Sequence, residues 1–425
     1  MAAANAARDG QTALALRLVK HLAPPPAAAD ATGNTVFSPV SVHAALALVA
    51  AGARGATQAQ LLAFLGAHSA AELADFGRGV ADRVLADRSD SGGPRVLFGG
   101  GAWIDASRGE LADAFHNVAT KTYKCEARLV NFTEEPEEAV KMINEWVKKA
   151  TNGLIETMIS TSDIDAETDL VLANAVYFKG KWLEPFHPCN NRTRAFHCLN
   201  GSRVKTETMW MREELHVACM DGFKFLKLPY KTGRKAEATG AGRHKRRRGG
   251  STSDMPDVDG KMQYSMFIFL PDKHDGVANM VDMVTAAPAF MYDILAEMKE
   301  LPVELELPKF KITFNWGKLK GALRQLGLSL PFSREVADLR GMYKEDDSDG
   351  KLGQRMFLSK VAHMAVVEVN ELGTEAAATT WSMRGGGGPP PGMVKFVADH
   401  PFTFFIMEEK SGVIVFAGDV LDPSK

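Results

Sequence analysis

Cysteine is scarce, with four in 425 residues: Cys125, Cys189, Cys198 and Cys219. They form no CxxC pair and no His/Cys grouping at zinc-ligand spacing, so neither a disulfide scaffold nor a metal site is expected. No apolar run approaches the ~18 residues of a membrane span, and no membrane partner is expected. GxSxG, HExxH and GxxxxGK[ST] motifs are all missing, which argues against an enzyme and leaves no cofactor to expect. Charge nearly cancels at -2, too little for a field that would mark a partner. No internal repeat occurs. A secretory leader is lacking as well: MAAANAARDGQ is broken by Arg8 and Asp9, and TALALRLVKHL is interrupted by Arg17 and Lys20. An intracellular protein is therefore expected, cytoplasmic or nucleocytoplasmic. The Asn-x-Ser/Thr sequons at Asn131, Asn191 and Asn200 favour the alternative, an extracellular chain, but chance accounts for them more simply.

What is present is an ordinary globular composition, 45% hydrophobic and 24% charged, sufficient for a sizeable core. A mass of 46.1 kDa suits two average domains or one large one, and composition does not choose between them. SPVSVHAALALVAAG at 38–52 places a serine as N-cap, Pro39 in the first turn and Gly52 at the C-cap of a helix that is apolar all round, hence buried. A second helix is predicted over 134–150. Its glutamates lie at the start and Lys148 and Lys149 at the end, and Val140, Ile143, Trp146, Val147 and Ala150 form its stripe. Strands are predicted at 170–178, 223–229, 264–270, 303–314, 361–369, 402–407 and 413–416, the last two joined by the hairpin-length EEKSG. Helices lead and strands follow, which indicates an α+β fold with a large mixed sheet rather than alternating βαβ units.

Two segments break this texture. Residues 231–260 are polar and glycine-rich, with a dense cationic run at Arg243, His244, Lys245, Arg246, Arg247 and Arg248, and read as a disordered insertion between two strands. Such a run suits a polyanion, a nucleic acid or nuclear import, but a solvated loop is the simpler account. The second segment follows the strand VAHMAVVEV. Along ELGTEAAATTWS, the alternate residues Thr374, Ala376, Ala378, Thr380 and Ser382 are all small, which suits a strand that presses one face onto a packed core. TTWSMRGGGGPPPG beyond it cannot settle into a helix or an interior strand.

At this point the chain resembles the serpin family. Glu371, Gly373, Thr374, Glu375, Ala376, Ala377, Ala378, Thr379 and Thr380 match the family's hinge pattern. FSPVSV, LANAVYFKGKW, LPKFKI, DHPFTFFI and GVIVFAGDVLDP are similar to serpin segments in family order. The resemblance implies one serpin domain over residues 10–423, with about eight or nine helices, the basic insertion inside it and an exposed reactive-centre loop over 373–392. It implies a monomer that inhibits a serine or cysteine endopeptidase: the loop is cut, then inserts into the protein's own sheet. Ser38, Ser41, Asn174 and His363 match the family's buried polar cluster, and Asn174 and Trp182 are expected to bracket the top of the central strand. Taken alone, His363 in an apolar strand is more often a satisfied core histidine.

The loop departs from the family beyond its hinge. The usual loop length puts the cut bond at Gly387-Gly388, where no side chain fills a protease pocket. Arg384-Gly385 offers a recognisable side chain but lies three residues early, shortening an inserted strand by about 10 Å. Two functions stay open: a suicide-substrate inhibitor, favoured by the hinge, and a non-inhibitory protein of the same fold, favoured by GGGGPPP.

Overall fold

The computed structural model describes residues 2–25, 33–233, 262–344, 355–371 and 392–425. Its helices are α1 Ala2–Leu22, α2 Pro39–Gly52, α3 Gly55–Phe64, α4 Ala70–Gly79, α5 Asp113–Asn117, α6 Pro136–Ala150, α7 Val277–Val284, α8 Pro288–Ala296 and α9 Leu319–Gln325. Its strands are β1 Thr35–Phe37, β2 Arg95–Asp105, β3 Glu126–Val130, β4 Leu170–Lys179, β5 Arg192–His197, β6 Arg203–Met220, β7 Phe223–Pro229, β8 Tyr264–Pro271, β9 Lys299–Pro308, β10 Phe310–Asn315, β11 Lys360–Val369, β12 Val394–Val397, β13 Phe402–Glu408 and β14 Val413–Val420.

The strands build two mixed sheets, as the α+β reading expects. The larger runs β1-β14-β13-β8-β7-β6-β9-β12, with β5 also on β6 and β12 parallel to β9. The smaller runs β10-β11-β4-β2-β3. Within it β11 and β4 are parallel neighbours, as are β2 and β3, while the other pairs are antiparallel.

Strand β4 shows why this sheet is interior. Nine of its ten residues are buried, because both faces are covered and alternation of polar with apolar residues is unnecessary. Val171, Ala173, Ala175 and Tyr177 pack with Ile143 and Val147 of α6 on one face. On the other, Leu170 and Leu172 join the core around α1 and α2, and Val176 and Phe178 join the core of the larger sheet. Helix α2 begins as predicted: the Ser38 side chain accepts the Ser41 amide hydrogen, Pro39 opens the helix, and nearly every residue is buried.

Three expectations need correction. Gly52 is not the C-cap but the last helical residue, with Ala53 in extended backbone after it. A Cβ on Gly52 would stand 2.3 Å from Met342 Cγ, so glycine serves close packing here. The helix predicted over 134–150 starts at Pro136, because Asn131 takes the Glu134 amide hydrogen on its own side chain first. The strand predicted over 303–314 is two strands in different sheets. Pro308 ends β9 without an N–H to offer, Lys309 N–H donates instead to Glu207 O at 2.9 Å, and Phe310 begins β10.

Candidate functional site: the seam between β4 and β11 and the base of the loop

The register of the parallel pair sets Asn174 beside His363. Both side chains point at the N-terminus of α2, where Ser38 and Ser41 lie, and all four residues are fully buried. Ser38 N–H donates to His363 Nε2 at 3.0 Å, so that nitrogen is bare and the other carries the proton. His363 Nδ1–H donates to Asn174 Oδ1. Ser41 Oγ–H lies 3.0 Å from Ser38 O and 3.4 Å from Asn174 Oδ1, and Asn174 Nδ2–H donates to Ser41 O at 3.5 Å. Burial pushes the His363 pKa down to about 3, which holds the ring neutral. The sequence-derived group Ser38, Ser41, Asn174 and His363 is thus brought together. Asn174, however, is mid-strand, not at the top, because its amide must reach the α2 N-terminus.

Trp182 lies apart from that cluster, beyond the end of β4. Its ring stacks on Tyr230 at 4.5 Å, and its Nε1–H donates to Asn370 O at 2.8 Å. The next residue, Glu371, is the last described before the loop and is held from several sides. Its carboxylate meets Lys309 and the Asn191 amide, and its carbonyl accepts Phe186 N–H at 2.9 Å. Burial pushes the Glu371 carboxyl up, but the hydrogen bonds and charge of Lys309, with the Asn191 bond, outweigh it and the pKa ends below the usual value. Lys309 also pairs with Glu207 at 2.8 Å. The anchors Tyr230, Phe186, Lys309 and Asn191 were not picked out from sequence. Lys309 carried a signal, a lysine between a proline and a strand inside LPKFKI, and Asn191 was read merely as part of a sequon.

Of the other sequence-derived residues, Gly373, Thr374, Glu375, Ala376, Ala377, Ala378, Thr379, Thr380, Arg384, Gly385, Gly387 and Gly388 lie outside the described residues. So do Arg243, His244, Lys245, Arg246, Arg247 and Arg248, in the segment joining the paired strands β7 and β8. The chain reappears at Gly392, where φ is +79°, a turn conformation that favours glycine, and enters β12 at Val394.

This is a site without a reagent. Its histidine is neutral and sealed from solvent, and its serines are engaged by a helix terminus, so the seam is suited to holding two strands together rather than to acting on a substrate. The fold is an α+β arrangement of two mixed sheets with a buried polar seam between parallel neighbours β4 and β11. The family model "Serpin (serine protease inhibitor)" matches residues 9–423. Serpin-Z2A of Oryza sativa subsp. japonica is 42% identical over 98% of this chain and 97% of its own length. Serpin-Z2B of Triticum aestivum is 39% identical, over 97% and 95% respectively. Among solved structures, Arabidopsis AtSerpin1 in its native stressed conformation superposes with a TM-score of 0.82 at 31% identity, covering 99% of each chain. Uncleaved ovalbumin, at 21% identity and a TM-score of 0.74 over 98% of this chain and all of its own, shares the fold. The chain belongs to the serpin family. Its general role is accordingly that of a protease inhibitor, not an enzyme, and its partner kind is a protease.

Proposed function

We propose that the protein is a suicide substrate for a serine or cysteine endopeptidase. The protease's nucleophile attacks a carbonyl carbon in the loop, the peptide C–N bond breaks, and the new amine leaves with the C-terminal side. The N-terminal side stays attached as an acyl-enzyme, and it enters the smaller sheet between β4 and β11 before water can cleave the ester or thioester. The parallel seam carries this reading: β4 and β11 are hydrogen-bonded neighbours, and the chain leaves β11 beside that seam at Glu371. A strand folding straight back from Glu371 runs antiparallel to both and satisfies the edge groups of each. The small alternate residues Thr374, Ala376, Ala378 and Thr380 suit the packed side of such a strand. The race is kinetic, so each ~1.4 kcal/mol added to the insertion barrier slows insertion about tenfold.

The second reading, a non-inhibitory serpin, is favoured by GGGGPPP, which offers a protease pocket nothing to grip at Gly387-Gly388. Incubation with trypsin-like, papain-like and elastase-like proteases followed by denaturing gels separates the two. A covalent band at the summed mass for at least one protease is expected. Clean loop cleavage without such a band for all three overturns the inhibitor reading and supports the second.

A further inference from the structure

Three histidines and an aspartate, distant in sequence, meet where the end of β5, the turn after β8 and the β12–β13 connection converge. Asp399 and His400 lie in that connection, His197 ends β5, and His274 follows β8. His197 N–H donates to Asp399 O at 2.7 Å, which fixes the connection against β5. The His274 ring is 4.5 Å from that of His197 and 4.8 Å from that of His400, centroid to centroid. One potential ligand atom from each of His274, Asp399 and His400 lies within 4.8 Å of the others.

His400 is oriented as a metal-binding histidine is. Its Nε2–H donates to Pro271 O at 2.7 Å, and that backbone bond turns Nδ1 towards Asp399 Oδ1, 2.8 Å away. The His400 side chain is 7% exposed, Asp399 is 36% exposed and His274 is open to solvent, so the group has a rigid floor and an accessible mouth. Two imidazole nitrogens and one carboxylate oxygen form a borderline donor set. It suits zinc-class ions better than calcium or magnesium, which prefer all-oxygen shells, or copper(I), which prefers thiolates.

We propose that His274, Asp399 and His400 bind one divalent ion of the zinc class, with water completing the shell. The ion takes His400 through Nδ1 and leaves the Nε2–H bond to Pro271 intact. The ligand atoms close from up to 4.8 Å to the ~3.3 Å spacing of a tetrahedral shell, a movement within reach of the exposed His274 side chain. Arg203, opposite His197 in the β5–β6 register, adds positive charge near His274 that works against a bound cation. The ion ties the β12–β13 connection to the turn after β8, and so braces the strand that receives the C-terminal side of the loop.

The test uses the full chain and the metal alone. Zinc chloride is titrated calorimetrically, cobalt(II) chloride is followed by visible absorption, and thermal unfolding is recorded with and without zinc. One site per chain, cobalt bands of a four-coordinate ion and a Tm raised by a few degrees at saturation are expected. H274A, chosen because the side chain is exposed and checked for folding by circular dichroism, should weaken zinc binding at least tenfold and abolish the cobalt bands. Absence of zinc binding to the wild-type chain overturns the proposal. So does undiminished binding by H274A, which would place the ion elsewhere, for instance on the exposed Cys189 or Cys219.

Discussion

His363 shows how one side chain couples the sheet to the helix below it. A neutral imidazole can accept from Ser38 N–H and donate to Asn174 at once; an imidazolium can only donate. Because burial lowers its folded-state pKa to about 3 while the unfolded ring titrates near 6.5, the unfolded chain takes up the proton first as pH falls. Stability is therefore full above about pH 6.5 and is lost on acidification towards pH 3, by about 2 kcal/mol at pH 5 from this residue. Thermal unfolding between pH 7.5 and 5 should show the fall. H363L should be less stable at pH 7.5, since Ser38 N–H is left buried without an acceptor at a cost of about 1–3 kcal/mol, yet less sensitive to acid. Some slope should persist through His43, also buried, with its pKa lowered to about 4. A pH profile for H363L parallel to wild type would rule this account out.

Among the elements, β4 and β11 were legible because both are nearly continuous apolar runs, the pattern of strands covered on two faces. Strand β2 was not, because Gly99, Gly100 and Gly101 sit in its middle. Their role is spatial: a Cβ on Gly100 would lie 2.3 Å from Cys125 Sγ, and one on Gly99 2.8 Å from Ala150 Cβ at the end of α6. β-Propensity has no term for such neighbours. The break between β9 and β10 was missed for a similar reason, since the partners that separate them, on β6 and β11, are remote in sequence. For the seam, parity makes a pointed prediction. A376R places a guanidinium on the packed side of an inserting strand, where its burial without a partner is costly. The variant should still be cut in its loop but form at least tenfold less covalent complex, as densitometry of denaturing gels would measure. If A376R inhibited as wild type does, the parity argued here would be overturned, with Glu375 rather than Ala376 on the packed side.

At the scale of the whole molecule, the proposed mechanism requires that the uncut fold be less stable than the cut one, because cleavage frees a strand that the smaller sheet can accept. Limited proteolysis within residues 373–392, with the two fragments kept together, should raise Tm by at least about 10 °C, equivalent to several kcal/mol for a chain of this size. An unchanged Tm would mean that the severed segment stays outside the sheet, whichever protease cut it. This measurement bears on fold mechanics alone and is independent of whether any target recognises GGGGPPP.

Local order in the sequence was enough for the fold class, the buried helix α2, the strands of the seam and the C-terminal hairpin, because periodicity, capping and apolar runs act over a few residues. The hinge matched its family pattern for the same reason: parity is a property of consecutive positions. Tertiary structure decided what brings distant residues together. It set His363 against Ser38 across the α2 N-terminus, gathered Trp182, Tyr230, Lys309 and Asn191 around Asn370 and Glu371, and drew His274, Asp399 and His400 to one point. The spacing of the last three matches no metal-binding pattern along the chain, because such a site is defined by distance in space and the sheet, not the sequence, supplies that distance.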